Sequence, residues 1–126
     1  MLERLHERGF ADFDAAYLNV FQYPGPDGAR PSELAARLNT SKQALNHLLA
    51  QLERLGYLDR EPDPDDRRSK RIALTARGSA AVAVIREAVE EVEMDWAQRV
   101  GTKRFAELCG ILADLSRLAA PPAGER

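Results

Sequence analysis

The sequence predicts a mostly α-helical protein with one small β-hairpin. Apolar residues recur at helical spacing on both sides of residues 57–75, whereas that segment holds two short strand-like runs around a Pro- and Asp-rich tip. Pro and Gly punctuate the chain between these patterns and mark where helices stop. At 126 residues, the chain is expected to form a single domain with two lobes.

Two short helices are expected first. Residues 1–8 carry apolar positions at helical spacing, and Gly9 is a suitable stop. Asp12 is expected to cap the next helix. That helix has one buried face, made of Phe13, Ala16, Tyr17, Val20 and Phe21.

The aromatic residues Phe13, Tyr17 and Phe21 allow two interpretations. They are either ordinary core or the wall of a pocket for a small aromatic effector, since ligand pockets are mostly apolar with a few polar groups. Tyr17 and Tyr23 would supply the hydroxyls. The sequence leaves both interpretations open.

A helix pair with a tight turn is expected over residues 31–55. Pro31 suits the first position of the first helix, and Ser32 beside it can present backbone N–H groups to a phosphate. In the turn, Thr40 forms a capping box with Gln43, and Ser41 is a competing cap.

The second helix of the pair has the composition of a DNA-reading helix. Four leucines lie on its inner face, so the residues between them face outward. Gln and Asn can bond adenine, and Lys or protonated His can donate to guanine or phosphate. The candidate DNA contacts on this helix and its cap are Ser41, Lys42, Gln43, Asn46 and His47.

A hairpin and two long helices follow. Residues 57–61 and 70–75 are expected to pair as strands around the tip 62–66. Thr75 is expected to cap a helix that runs to about residue 100, and another follows Gly101. Both helices carry apolar stripes with no third layer to cover them, which favours a two-fold homodimer. The expected interface residues are Ile85, Val89, Val92, Trp96, Leu108, Leu112 and Leu115.

Three segments resemble the MarR family of winged helix-turn-helix regulators. These are SELAARL, SKQALNHLLAQLERLGYL and DPDDRRSKRIALTARG, of which D-D-R-R followed by L-T-x-x-G is the most specific. The resemblance implies that Asp66 orients Arg68, which enters the minor groove, and that Arg67 and Lys70 contact phosphates. It also implies a homodimer and an effector site.

The charge distribution agrees with a local nucleic-acid contact. The net charge is −2, but residues 67–78 hold five basic residues and no acidic one. Phosphate binding requires a local basic patch rather than a basic chain. A solvated hairpin with no partner is the alternative explanation.

Several function classes are not expected. The chain shows no set of nucleophile, base and acid, no Gly-rich phosphate loop and no metal-ligand spacing, so neither catalysis nor a cofactor is expected. No apolar run is long enough to span a membrane, and the N-terminus lacks an apolar signal core. The single cysteine fits a reducing cytoplasm.

The sequence therefore predicts a homodimeric regulator that binds double-stranded DNA, as a ligand-responsive repressor. The alternative is a winged-helix dimerisation module that does not bind DNA. Residues 11–78 would form the DNA-binding lobe, and residues 1–10 and 79–119 the helical dimerisation lobe. Residues 120–126 are expected to be a tail.

Overall fold

The computed structural model describes residues 1–22 and 25–119, so Tyr23 and the predicted tail lie outside the described residues. By contacts the chain divides into two compact units, 1–87 and 88–126. No helix among the described residues has the length and apolar character to cross a membrane. The elements are α1 (Leu2–Glu7), α2 (Ala15–Val20), α3 (Pro31–Arg37), α4 (Lys42–Arg54), β1 (Leu58–Pro62), β2 (Lys70–Leu74), α5 (Ala76–Val100) and α6 (Thr102–Ala119).

The starts of α2 and α4 are set by side-chain caps. The hydroxyl of Ser41, rather than that of Thr40, accepts the Ala44 N–H at the start of α4. The prediction that Asp12 caps α2 was wrong. Asp14 accepts the Ala16 N–H instead, because its extended backbone places its carboxylate over the first turn.

The core of the first unit is built from leucines of α4 and from aromatic rings. Leu45, Leu49 and Leu52 are fully buried, as the predicted inner face of the helix requires. Phe13 lies edge-on to the ring of Tyr57, with centroids 5.3 Å apart, so the segment before α2 packs against the start of the hairpin.

The hairpin pairs β1 with β2 in antiparallel register, with Arg60 opposite Ile72. Ile72 is buried, and its backbone also bonds the loop before α3: Gly28 N–H donates to its carbonyl and its own N–H donates to Ala29. These two bonds attach the hairpin to the helix pair, a feature that the sequence pattern did not predict.

The boundary between the two units differs from the predicted lobe boundary. Leu5 and Phe10 are buried in the core of the first unit, although residues 1–10 were assigned to the dimerisation lobe. Ala81 and Val84 of α5 also join this core. The first unit therefore extends further in both directions than residues 11–78, because apolar side chains beyond those limits have a place in its core.

The start of α5 lies against the backbone of Tyr57. The Tyr57 carbonyl accepts the Thr75 N–H at 3.2 Å, and the Thr75 hydroxyl accepts the Gly78 N–H at 3.1 Å, so Thr75 caps α5 as predicted. A Cβ placed on Gly78 would lie 1.9 Å from the Tyr57 carbonyl oxygen. Only glycine fits there without moving the backbone.

We expect Gly78→Ala to lower the free energy of unfolding by roughly 3 kcal/mol or more, because a rigid carbonyl rather than a flexible side chain opposes the methyl group. Gly110→Ala is the matched control: Gly110 lies within α6 with nothing near its Cβ position. That change should be neutral or stabilise by up to about 1 kcal/mol. Urea unfolding of both variants checks this, and equal stability of the two would contradict the close approach.

Candidate nucleic-acid interface

The outer face of α4 presents most of the predicted base-reading side chains to solvent. Lys42, Gln43 and His47 are exposed, whereas Asn46 is half-buried. Ser41 is exposed too, but its oxygen is engaged as the helix cap. The first two turns of α4 therefore carry donors and acceptors of the kind that contact base edges.

The hairpin tip is folded around Asp66. Its carboxylate accepts the backbone N–H of Arg68 at 3.0 Å and the hydroxyl of Ser69 at 3.2 Å. Arg67, Arg68 and Lys70 are exposed around this turn. Asp66 thus fixes the backbone that carries Arg68, whereas the resemblance implied that it orients the guanidinium directly.

A second acidic residue, Asp63, anchors the tip to the helix pair. It is 5% exposed, and its carboxylate accepts Arg30 Nε at 2.5 Å and the Asp65 N–H at 2.9 Å. The backbone bond from Asp65 holds the pKa of Asp63 below its usual value, against the effect of burial and with help from Arg30. Asp63 is therefore ionised at neutral pH.

Arg30 completes this anchor from the other side. It is the N-cap residue of α3 but makes no side-chain cap bond. Its hydrogen bond to Asp63 instead raises the pKa of its guanidinium. Sequence reasoning missed the pair. The only signal was Asp63-Pro64, a turn-initiating dipeptide, which does not identify a partner 33 residues earlier.

Arg60 on β1 is the second residue that the sequence did not indicate. Its Nε lies 2.8 Å from the Glu53 carboxylate. Its terminal nitrogens reach the Asn46 backbone carbonyl at 3.3 Å and the Asn46 side-chain oxygen at 3.5 Å. The hairpin and α4 are thereby joined through one guanidinium.

These elements together line a groove of about 260 Å³ between α4, the hairpin and the N-terminus of α3. Among the described residues, Arg30 and Arg60 have carboxylate partners and Lys42, Arg68 and Lys70 do not. The groove is therefore positively charged. It is lined by Arg30, Pro31, Ser32, Lys42, Asn46, Arg60, Arg68, Ser69 and Lys70, whereas Ser41, Gln43, His47 and Arg67 lie outside this lining.

Comparison with known families identifies this arrangement. Residues 21–69, which include the helix pair and the hairpin tip, match the sequence model of the MarR family. Over this segment the chain is similar to the MarR family. The match ends at Ser69, directly after the Asp66-Arg67-Arg68 triplet.

Individual relatives agree with the family. A Thauera aromatica protein, described as a transcriptional regulatory protein for the hcr operon, is 30% identical over 90 residues; the match covers 71% of this chain and 54% of that protein. The chain thus spans about half the length of this relative. The transcriptional regulator Tm0710 of Thermotoga maritima is 26% identical with a TM-score of 0.58, over 93% of this chain and 83% of that one.

A third similar structure is FabT of Streptococcus pneumoniae, solved in complex with DNA. It has a TM-score of 0.72 at 21% identity, over 93% of this chain and 84% of that chain. At this identity the likeness establishes the winged helix-turn-helix fold.

The aromatic residues Phe13, Tyr17 and Phe21 are packed against one another. Phe13, Tyr17 and Phe21 are each at most 7% exposed, and Phe13 contacts both of the others. The groove above does not include them. Nor does a second cavity of about 320 Å³ between α2, α3 and α4, although it includes Val20 and Leu38.

The predicted interface residues are mostly exposed. Ile85 differs, because it is half-buried against the core of the first unit. The remaining side chains keep 39–55% of their surface exposed, a large fraction for apolar residues on two helices. They are Val89, Val92, Trp96, Leu108, Leu112 and Leu115.

We expect Asp63→Ala to loosen the hairpin tip and to weaken duplex binding several-fold, because it leaves Arg30 without its buried partner. Asp65→Ala is the matched control, since the Asp65 side chain is exposed and only its backbone N–H binds Asp63. Fluorescence anisotropy with a labelled duplex measures the affinity. The Ser69 N–H donates to the Asp66 backbone carbonyl in the same turn, so hydrogen exchange of this amide reports the loosening. Identical behaviour of the two variants would show that Asp63 is no anchor.

Proposed function

We propose that this chain is a sequence-specific, DNA-binding transcriptional regulator that acts as a homodimer. The observation that carries the proposal is the groove in which Lys42, Arg68 and Lys70 lie together without acidic partners among the described residues. A cluster of uncompensated cations beside a helix with amide side chains suits phosphates and base edges. FabT, which shares the fold, binds DNA.

In the proposed complex, α4 lies in the major groove. Gln43, Asn46 and His47 face base edges, and Lys42 faces the backbone. Arg68 at the hairpin tip enters the adjacent minor groove, where a narrow groove concentrates negative potential. Ser32, Arg67 and Lys70 contact phosphates. Ser41 sets the start of α4 as its cap and contributes its backbone to the same surface.

Repression would follow from occupancy of an operator, and two-fold symmetry would place two α4 helices on one face of the duplex. An effector would relieve repression if it favoured a spacing of these helices that does not fit DNA. Phe13, Tyr17 and Phe21 remain the proposed effector contacts only if the ring cluster opens, because its rings pack directly on one another.

Replacing Arg68 and replacing Gln43 should weaken DNA binding in different ways. Arg68→Ala removes a positive charge from the minor groove, so it should weaken binding to every duplex and flatten the salt dependence by about one unit of slope. Gln43→Ala should cost roughly 1–3 kcal/mol on the selected duplex alone and relax the preference at one base pair.

The measurement is a titration of a selected duplex and a random duplex at several salt concentrations. The duplex is first obtained by selection from a random DNA pool. Should Arg68→Ala bind both duplexes as tightly as the parent chain does, the hairpin is not a DNA contact. A dimerisation module without DNA-binding activity would then be the better description.

The exposed apolar residues of α5 and α6 predict self-association. Leu112→Asp places a charge in the middle of the proposed interface, where its desolvation is unfavourable, and should convert dimers to monomers. Ala113→Asp, the next residue on α6, is also exposed and serves as the control for added charge. Sedimentation velocity at micromolar concentration separates the outcomes: a monomeric parent chain would contradict the homodimer.

A further inference from the structure

A chain of hydrogen bonds runs from the buried aromatic cluster to the outer face of α4. The Tyr17 hydroxyl donates to Gln51 Oε1 at 3.1 Å, and Gln51 Nε2 lies 3.2 Å from Nε2 of His47. Gln51 and His47 are four residues apart on α4, so their side chains are neighbours on one face. Tyr17 is 7% exposed, whereas His47 is exposed.

The direction of these bonds selects one form of His47. A carboxamide oxygen can only accept and a carboxamide nitrogen can only donate. With Oε1 facing Tyr17, the Gln51 nitrogen must donate to His47, whose Nε2 must therefore accept through its lone pair. The ring is then neutral and carries its proton on Nδ1. The reversed amide would require the Tyr17 hydroxyl to accept and His47 to carry its proton on Nε2.

The buried end of this chain is held firmly. The Tyr17 ring lies edge-on to Phe13, at 90° and 5.6 Å between centroids. Its hydroxyl is therefore aimed by core packing rather than by a mobile surface contact. Gln51 is half-buried, so its side chain is partly shielded from solvent.

We propose that Tyr17 and Gln51 are positioning residues that fix the ring and the tautomer of His47, so that His47 reads a base through its Nδ1–H. This inference rests on the proposed DNA-binding function and assigns one element of its specificity. A neutral imidazole with one outward donor suits an acceptor edge in the major groove, and guanine presents two acceptors there, N7 and O6. His47 would thus favour a G·C pair at its position.

The ring tautomer can be measured without DNA. Nitrogen-15 NMR of the histidine ring, at a pH where the imidazole is neutral, distinguishes Nδ1–H from Nε2–H. We expect His47 of the parent chain to be the Nδ1–H form and Tyr17→Phe to shift it towards a mixture of both forms. Tyr57→Phe is the matched control, because it removes another buried hydroxyl from the same cluster, one that binds Asp12 instead. An Nε2–H ring in the parent chain would overturn the proposal.

The consequence for DNA is measured on the selected duplex and on versions changed at single base pairs. His47→Ala should reduce the preference for one G·C pair about five-fold, which is the effect expected from one ordinary hydrogen bond. Tyr17→Phe should lose most of the same preference at the same pair, and Tyr57→Phe none. The double variant Tyr17→Phe/His47→Ala should discriminate no worse than His47→Ala alone, since both act through one contact.

The outcomes separate this inference from the proposed function. If Tyr17→Phe keeps the full preference while His47→Ala loses it, then His47 reads the base without help and the positioning role is wrong. If His47→Ala keeps the preference, the reading role of His47 is wrong although the chain still binds DNA. If the parent chain binds no duplex in the selection, the proposed function itself fails, and this inference fails with it.

Discussion

The close approach of Gly78 to the Tyr57 carbonyl determines where α5 begins. The carbonyl accepts the Thr75 N–H, and Thr75 in turn donates its hydroxyl to the Gly56 carbonyl at 2.6 Å. Helix α5 can begin here only because residue 78 has no Cβ. The same contact places β1, and hence the hairpin, at a fixed offset from the start of α5. The L-T-x-x-G motif is thus a packing requirement as well as a family signature.

A charged cluster secures this junction. The Arg77 guanidinium lies 4.3 Å from the centroid of the Tyr57 ring, donates to the Leu55 carbonyl and pairs with Asp12 at 3.0 Å. Burial tends to raise the pKa of Asp12, but hydrogen bonds from Arg77 and Tyr57 outweigh it and hold that pKa below its usual value. Burial, and after it the bond to Asp12, raises the pKa of Tyr57. Asp12 is therefore a carboxylate and Tyr57 a neutral donor across the physiological range, and the cluster has every partner in the right protonation state.

Periodicity predicted the elements well, because a helix face depends on residues three and four apart. The inner face of α4, the strand pair and the Thr75 cap all follow from such local patterns. The roles of individual acidic residues do not follow from local patterns. Asp12 and Asp14 are equally good caps by sequence. Only the position of Arg77, 65 residues after Asp12, explains why the Asp12 carboxylate accepts from Arg77 instead of capping α2. The Arg30–Asp63 pair was missed for the same reason, since no local pattern encodes a contact between distant segments.

The charge of the central segment shows how far such pairings matter for function. Counted by formal charge, the five acidic residues of the hairpin (residues 57–75) cancel its five basic ones, and the whole chain is acidic. In the structure, however, Asp63 is turned inward to Arg30, and Asp66 is bound to the backbone of its own turn. A carboxylate held in this way projects little negative potential toward a duplex, and the arginine that it neutralises becomes structural. The cations left over, Lys42, Arg68 and Lys70, then determine the potential of the groove. A chain of net charge −2 can thus present a basic surface, because Asp63 and Asp66 are engaged in building that surface.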